Sequence, residues 1–270
     1  MIPARFDYVA ADSAARAIEL LAEHGDEAKV LAGGHSLLPM MKLRLAAPSV
    51  LIDIARADGL SGISTDNGEL VIGATTRHAD LVASEVVKAE APLLAHAASL
   101  VGDPQIRHRG TIGGSLAHAD PAADLPMALV ALGGTVELTG PGGTRQVAAD
   151  DFFAGYFETE LAPDELLTAV RVPRQAGVPW GYQKFTRRAN DWAIVGVAAI
   201  GGRIALANMG PVPLRARAAE QALADGASPA EASRLAAEDT SPGADIHADR
   251  EFREHLARVL TRRALERQKH

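Results

Sequence analysis

The 270-residue chain contains no cysteine. This absence excludes disulfide bonds, a thiolate nucleophile, cysteine-ligated zinc and an ordinary cysteine-held iron–sulfur cluster. An iron–sulfur electron carrier that works with this protein must therefore lie on another chain. The nine histidines are scattered along the sequence, and we predict no metal site.

Long apolar runs and an excess of positive charge are also missing. No run of about 18 apolar residues occurs, so we expect no transmembrane segment. The first residues lack the apolar stretch of a signal peptide, which predicts a cytoplasmic protein. The formal net charge of -7 argues against a nucleic-acid-binding face. A Gly-x-Ser-x-Gly nucleophile elbow is absent as well, which disfavours a hydrolase.

The chain is 47% hydrophobic, enough to bury substantial cores, and its pattern predicts an α+β protein. A strand, loop, helix, strand unit is expected up to residue 57. From residue 58 the pattern changes to strands and helices, and a linker is expected over 173–179. We therefore predict three units: 1–57 and 58–176, which form two subdomains, and a C-terminal α+β domain over 177–270.

Several local signals predict where elements begin and end. Asp12 or Ser13 can cap a helix that Gly25 ends. Asp66-Asn67-Gly68 predicts a hairpin turn between apolar strands. Further strands are expected over 29–32, 50–54, 135–139, 144–147, 165–172, 193–200 and 203–207, and helices over 37–45, 77–98, 127–132 and three alanine-rich stretches at the C-terminal end.

Two glycine-doublet motifs are the most informative positive feature. The first is Ala32-Gly33-Gly34-His35-Ser36-Leu37-Leu38-Pro39, and the second is Thr111-Ile112-Gly113-Gly114-Ser115-Leu116. Glycine allows backbone amides to approach a charged oxygen without an intervening side chain. Two such loops in different subdomains favour two backbone cradles around one phosphate-bearing ligand, and they point to a dinucleotide.

Neither motif matches a generic nucleotide fingerprint. Gly-x-Gly-x-x-Gly is absent, and no Gly-Lys-Ser/Thr follows the glycines, which excludes the Rossmann fingerprint and the P-loop. Taken alone, each motif is equally well explained as a structural turn.

Four linked stretches carry a family resemblance. They are Ala32 to Pro39 with Lys42 and Arg44, Pro104-Gln105-Ile106-Arg107 leading through Arg109 to Ser115, Asp120-Pro121-Ala122-Ala123-Asp124, and Tyr182-Gln183-Lys184-Phe185-Thr186-Arg187-Arg188. Their order and spacing, over essentially the whole chain, resemble the medium, FAD-binding subunits of molybdenum hydroxylases of the aerobic carbon monoxide dehydrogenase and xanthine dehydrogenase type.

The resemblance implies a vanillyl-alcohol oxidase (PCMH)-type FAD-binding fold of two subdomains, followed by a C-terminal domain that completes the flavin pocket. It implies that one side of the FAD pyrophosphate is held by the first loop, and that the second loop approaches from the other side. The loop residues expected to bind the cofactor are Ala32, Gly33, Gly34, His35, Ser36, Leu37, Thr111, Gly113, Gly114 and Ser115.

Four further cofactor-binding residues are implied, with roles that fit their chemistry. Asp124 would accept hydrogen bonds from ribityl or ribose hydroxyls, and Leu167 would contact FAD through its backbone and packing, although a plain core strand explains it equally well. Lys184 would hold the pyrimidine edge of the flavin, unless it is a solvated surface lysine. Trp192 would cover the flavin face, or else be a core tryptophan. We assign no catalytic residue.

The resemblance implies noncovalently bound FAD and an electron-transfer role. A large partner subunit would carry molybdopterin, and a small partner would carry [2Fe-2S] clusters. FAD on this chain would collect the electrons and pass them to oxygen, NAD or a quinone-linked acceptor, and the complex could lie at the inner face of the membrane. Two alternatives remain open: a standalone FAD-dependent oxidoreductase that acts directly on a small molecule, and a noncatalytic flavin-binding assembly protein.

Overall fold

The computed structural model describes residues 2–269. Its first unit is a three-stranded parallel sheet of order β1-β3-β2 with two helices. The Ser13 hydroxyl caps the first helix at its Arg16 amide, and Gly25 ends it at φ 53°, as predicted. The elements are β1 (Asp7–Ala10), α1 (Ala14–His24), β2 (Ala28–Leu31), α2 (Leu37–Lys42) and β3 (Val50–Asp53).

The second unit contains a five-stranded antiparallel sheet of order β4-β5-β10-β6-β7 and a layer of helices. The predicted hairpin turn is confirmed, because Asn67 and Gly68 both have positive φ, at 47° and 83°. The elements are β4 (Ile63–Asp66), β5 (Glu69–Gly73), α3 (His78–Ala83), α4 (Glu85–Glu90), α5 (Pro92–Ser99), α6 (Pro104–Arg109), α7 (Ile112–His118), α8 (Asp124–Leu132), β6 (Thr135–Gly140), β7 (Gly143–Ala148), α9 (Ala149–Phe152), β8 (Phe153–Gly155), β9 (Glu158–Thr159) and β10 (Leu166–Pro173).

The second glycine motif differs from the expected loop, since it forms the first turn of α7. The Thr111 hydroxyl accepts a hydrogen bond from the Gly114 amide at 3.2 Å and so caps this helix. The preceding helix α6 has Pro104 in its first turn and the Asp103 side chain as its cap. Both helices thus begin with ordinary N-terminal capping residues. Each helix is nevertheless too short to produce a clear apolar periodicity in the sequence.

The third unit is a four-stranded antiparallel sheet of order β11-β12-β13-β14 with helices on one side. Its elements are β11 (Trp180–Phe185), β12 (Val195–Ile200), β13 (Arg203–Ala207), β14 (Leu214–Arg215), α10 (Arg217–Ala224), α11 (Pro229–Ala232) and α12 (Arg250–Glu266). All six residues of β12 are buried, because the sheet packs between α12 and the second unit.

Helix α8 joins the second and third units. All nine of its residues are buried, and it contacts β12 and β13 as well as α5. A helix that is apolar on every side needs partners on every side. The second and third units therefore share a packed interface.

A cluster of charges reinforces this interface. Asp150, at α9, accepts from Arg203 of β13 at 2.6 Å and from Arg215 of β14 at 3.1 Å, and Arg217 lies 3.5 Å away. We expect Asp150→Ala to lower the free energy of unfolding by about 1–3 kcal/mol, because the partly buried guanidinium groups of Arg203 and Arg215 each lose one of their acceptors. Urea denaturation of the full chain measures this change.

Asp151 provides the matched control. It is the next residue, it is exposed, and no ion pair of the described chain includes it. Asp151→Ala should change the free energy of unfolding by less than about 0.5 kcal/mol. Equal effects of the two substitutions would show that the Asp150 cluster does not stabilise the interface.

Two features are absent from residues 2–269. No helix there is long and apolar enough to cross a membrane. The same residues contain no group of three or more His, Cys, Asp or Glu side chains able to hold a metal ion.

Candidate cofactor-binding site

The first glycine motif lies between the end of β2 and the start of α2. Over residues 2–269, the five consecutive N–H groups of this turn, from Gly33 to Leu37, donate to no backbone acceptor. The Ser36 side chain makes no capping hydrogen bond either. Unpaired consecutive amides form a concave site for an anion, so this turn has the donors that the predicted pyrophosphate contact requires.

Gly33 is required by a close approach between the two subdomains. A Cβ on Gly33 would lie 2.4 Å from the carbonyl oxygen of Arg109 and 3.0 Å from the Cα of Gly110. Gly34 has φ 77°, in the left-handed region that favours glycine. The two glycines therefore have different roles: the first allows the turn to touch α6, and the second shapes it.

Within the second glycine motif, the amides of both glycines and of Ser115 are already engaged. The Gly113 N–H donates to the Ala74 carbonyl at 2.8 Å, and the Ser115 N–H donates to the Thr111 carbonyl at 3.0 Å. The Gly114 N–H donates to the Thr111 hydroxyl. The two glycines and Ser115 therefore offer no unpaired amide to a second backbone cradle, which differs from the expectation, whereas the Thr111 N–H has no partner among the described residues. The glycines allow close packing, since a Cβ on Gly113 would lie 2.6 Å from that of Ala74.

One cavity of about 620 Å³ extends between the two glycine motifs. This volume is typical of cofactor and ligand sites. Thirteen of the fourteen predicted site residues line it, namely Ala32, Gly33, Gly34, His35, Ser36, Leu37, Thr111, Gly113, Gly114, Ser115, Asp124, Leu167 and Trp192. The structure thus brings together residues from all three units.

Lys184, the fourteenth residue, is not in the lining of the cavity. Its Nζ donates to the Asp124 carboxylate at 2.9 Å, and their side chains are 7% and 3% exposed. The alternative of a solvated lysine is therefore wrong. The Tyr182 hydroxyl also hydrogen-bonds to Asp124, so two residues of β11 hold a carboxylate that begins α8 and faces the cavity.

The pKa values of Asp124 and Tyr182 are both shifted by their surroundings. Burial raises the pKa of Asp124, while Lys184 and the Tyr182 hydroxyl act in the opposite direction. The pKa of Tyr182 is raised well above its ordinary value, first by burial and then by the charge of Asp124. The phenol therefore stays protonated and remains a donor to the carboxylate.

Aromatic side chains lie at the exposed part of the cavity wall. Trp192 is 55% exposed, which makes its alternative as a core tryptophan wrong. Phe157 also lines the cavity, has φ 57°, and packs its ring 5.1 Å from that of His118. Leu167 lines the cavity and is buried in β10, so it is both a core and a lining residue.

Among the residues that sequence reasoning did not assign to the site are His78 and Phe157, which line the cavity, and Tyr182, which hydrogen-bonds to Asp124. Tyr182 was detectable, because Tyr182 and Lys184 lie two positions apart and residues so spaced in a strand point to the same face. Phe157 and His78 carry no such signal. Their positions depend on how distant segments pack.

Comparisons with known proteins identify the family of the chain. Residues 4–175 match the family described as the FAD binding domain in molybdopterin dehydrogenase, and residues 180–268 match the CO dehydrogenase flavoprotein C-terminal domain. The carbon monoxide dehydrogenase medium chain of Hydrogenophaga pseudoflava is 43% identical over 98% of this chain and 97% of its own.

Solved structures show the same fold. A chain of carbon monoxide dehydrogenase from Hydrogenophaga pseudoflava superposes with a TM-score of 0.95 at 46% identity, covering 98% of each chain. A chain of quinoline 2-oxidoreductase from Pseudomonas putida 86 superposes with a TM-score of 0.92 at 35% identity, covering 98% of this chain and 97% of its own. The fold is therefore the PCMH-type FAD-binding fold with its C-terminal domain, and the chain belongs to the family of FAD-binding medium subunits of molybdenum hydroxylases, a family of oxidoreductases.

Proposed function

We propose that this chain transfers electrons within a heteromeric molybdenum hydroxylase. Its FAD would receive electrons from [2Fe-2S] clusters on a small partner subunit, after a molybdopterin-containing large subunit has oxidised the substrate. The acceptor would be oxygen, NAD or a quinone-linked carrier. The zero cysteine count supports this division, because the clusters then have to reside on another chain.

The observation that carries the proposal is the row of unpaired amides from Gly33 to Leu37 at the wall of a cavity of about 620 Å³. A pyrophosphate has the negative oxygens that such a row binds, and the Ser36 hydroxyl can add one more donor. No covalent bond is needed for this recognition, so we propose that FAD is bound noncovalently.

Bound FAD supplies a carrier that can be reduced by single electrons and can release them as a pair. The chain's own residues bind it and adjust its surroundings. Asp124 offers acceptor oxygens to hydroxyl groups, and Lys184 keeps a positive charge directly behind that carboxylate. Trp192 covers part of the cavity at the solvent side.

We expect Trp192→Ala to weaken FAD binding by about threefold to tenfold, because a stacking aromatic contact contributes about 0.5–1.5 kcal/mol. Flavin fluorescence titration of the FAD-free chain measures this affinity. Tyr156→Ala is the matched control, since Tyr156 is 56% exposed and lies outside the cavity lining. An unchanged affinity in Trp192→Ala would exclude the covering role.

Gentle purification of the tagged chain from its own host tests the proposal. FAD, iron and molybdenum are quantified per chain, and the proteins that copurify are identified. Equal FAD and molybdenum, with several irons and two further polypeptides, is the expected result.

Other outcomes would contradict the proposal in distinguishable ways. FAD on a lone chain that oxidises a small molecule would favour the standalone oxidoreductase. Bound FAD that partner proteins cannot reduce would favour the assembly protein, and the absence of flavin would exclude every FAD-based function.

A further inference from the structure

A second, smaller cavity of about 280 Å³ lies next to the cavity proposed for FAD. Trp192 lines both cavities, so its side chain is a wall that they share. Arg187, from the Tyr182 to Arg188 stretch, lines only the second cavity and has no part in the proposed FAD site. The volume is near the lower end of the range for ligand sites, which suits a single ring compound rather than a dinucleotide.

The backbone directly after Trp192 is held by side chains from two other segments. Asn208, which follows β13, donates from its side-chain amide to the Ala193 carbonyl at 2.8 Å. Arg253 of α12 donates to the Ile194 carbonyl at 2.5 Å and is only 3% exposed. The wall that contains Trp192 is therefore fixed before any ligand enters, as is usual for ligand sites.

One charged pair of the second cavity is satisfied within the protein. The Asp245 carboxylate accepts from the Arg253 guanidinium at 2.7 Å. It also accepts from the backbone N–H groups of His247 and Ala248, at 2.8 and 3.0 Å. Three donors neutralise this carboxylate, so recognition of a ligand is left to the other charged pair of the lining.

That other pair, Arg187 and Asp191, keeps its hydrogen-bonding capacity. The Arg187 Nε lies 3.8 Å from the Asp191 Oδ2, which is too long for a hydrogen bond. Within residues 2–269, neither side chain takes part in a hydrogen bond or in another ion pair. A donor and an acceptor therefore lie side by side near an indole. Apart from His247, the ionisable side chains of the lining are two arginines and two aspartates, whose formal charges cancel, so the lining favours an uncharged ligand.

We propose that the second cavity binds an uncharged, planar ring compound that carries an amide group. The amide carbonyl accepts from Arg187 and the amide N–H donates to Asp191, because an amide presents an acceptor and a donor next to each other. The ring packs against Trp192. The assignment goes beyond the proposed function, and because it needs no bound FAD, its test is independent of that function.

Nuclear magnetic resonance of the full chain, labelled with ¹⁵N at tryptophan, tests the proposal. The chain has two tryptophans, and the substitution Trp180→Phe assigns their indole signals. Trp192 reports on the cavity, whereas Trp180 is 5% exposed and reports on folding. Nicotinamide is the probe, because it is an uncharged ring with a carboxamide. Nicotinate, which has a carboxylate in place of the amide, is titrated as the matched ligand.

Three variants assign the binding to the second cavity. Arg187→Ala removes the donor and Asp191→Ala removes the acceptor, and neither residue lines the cavity proposed for FAD. Arg188→Ala is the matched control, because Arg188 is the neighbouring arginine, is exposed, and lines neither cavity. An unchanged Trp180 signal shows that each variant is folded.

We expect nicotinamide to shift the Trp192 signal in a saturable manner, with a Kd on the order of 1 mM, and to leave the Trp180 signal in place. Arg187→Ala and Asp191→Ala should each weaken this binding by about tenfold or more, whereas Arg188→Ala should resemble the wild type. Nicotinate should bind about tenfold more weakly than nicotinamide, because its carboxylate cannot donate to Asp191 and is repelled by it.

Nicotinamide mononucleotide, titrated in parallel, distinguishes two sources of such a ligand. Tighter binding than that of nicotinamide identifies the ring of a nucleotide, and binding no tighter identifies a free amide; both results support the site. Three results would overturn the proposal: no saturable shift of Trp192, equal or tighter binding of nicotinate, or full binding by both Arg187→Ala and Asp191→Ala, which would place the ring in the cavity proposed for FAD. None of these three results contradicts the proposed binding of FAD.

Discussion

Gly33→Ala is expected to lower the affinity for FAD on the order of hundredfold. The added methyl group would lie 2.4 Å from the carbonyl oxygen of Arg109, a backbone atom that cannot rotate away. The turn from Gly33 to Leu37 and helix α6 must then move apart by roughly 1 Å. A shift of this size is larger than a hydrogen bond to the bound pyrophosphate tolerates. Flavin fluorescence titration of the FAD-free chain measures the loss of affinity.

Gly142→Ala is the matched control for this substitution. Gly142 has no atom within 4 Å of an added Cβ and has no positive φ. It lies in the turn between β6 and β7, away from the cavity lining, and its replacement should leave FAD binding unchanged. Wild-type affinity in Gly33→Ala would show that the close approach of the two subdomains does not form the binding site.

Lys184→Met is expected to lower the free energy of unfolding by about 3–5 kcal/mol, because it leaves a buried carboxylate without its cation. The side chains of Lys184 and Asp124 are only 7% and 3% exposed. Urea denaturation of the FAD-free chain measures the effect. The double substitution Asp124→Leu with Lys184→Met removes both charges and should regain most of the lost stability.

Lys88→Met is the control for the loss of a lysine. Lys88 forms an ion pair with Glu85 at 2.7 Å, but these side chains are 47% and 85% exposed. Exposed pairs contribute about 0–1 kcal/mol, so this variant should change the free energy of unfolding little. Equal losses in the free energy of unfolding for Lys184→Met and Lys88→Met would show that the buried pair stabilises the protein no more than an exposed one.

The two lysines also show the limit of sequence reasoning. In the sequence, no neighbouring residue of either lysine reveals whether its side chain is buried, and a solvated surface position was an open alternative for Lys184. What distinguishes it is Asp124, which lies 60 positions earlier in the chain and begins a different helix. The pair forms only because the sheet of the third unit packs against α8 of the second.

The two glycine motifs also look alike in the sequence and differ in the structure. As sequences they are similar, and both predicted a backbone cradle. In the structure, the amides from Gly33 to Leu37 are unpaired, whereas Thr111 and Ala74 accept from the three amides of Gly113, Gly114 and Ser115. The side-chain cap at Thr111 was readable from the sequence, but the Ala74 carbonyl reaches Gly113 only through tertiary packing.

The sequence by itself determined the caps of α1, the hairpin at Asn67 and Gly68, and the family, because each depends on neighbouring residues or on the order of motifs. Its lack of cysteine also determined that this chain holds no cysteine-ligated cluster. Only the tertiary structure decided which amides are free, that Lys184 is buried, and that Trp192 is exposed. These depend on contacts between segments far apart in the chain, and the packing of such segments is set by the whole core rather than by any local pattern.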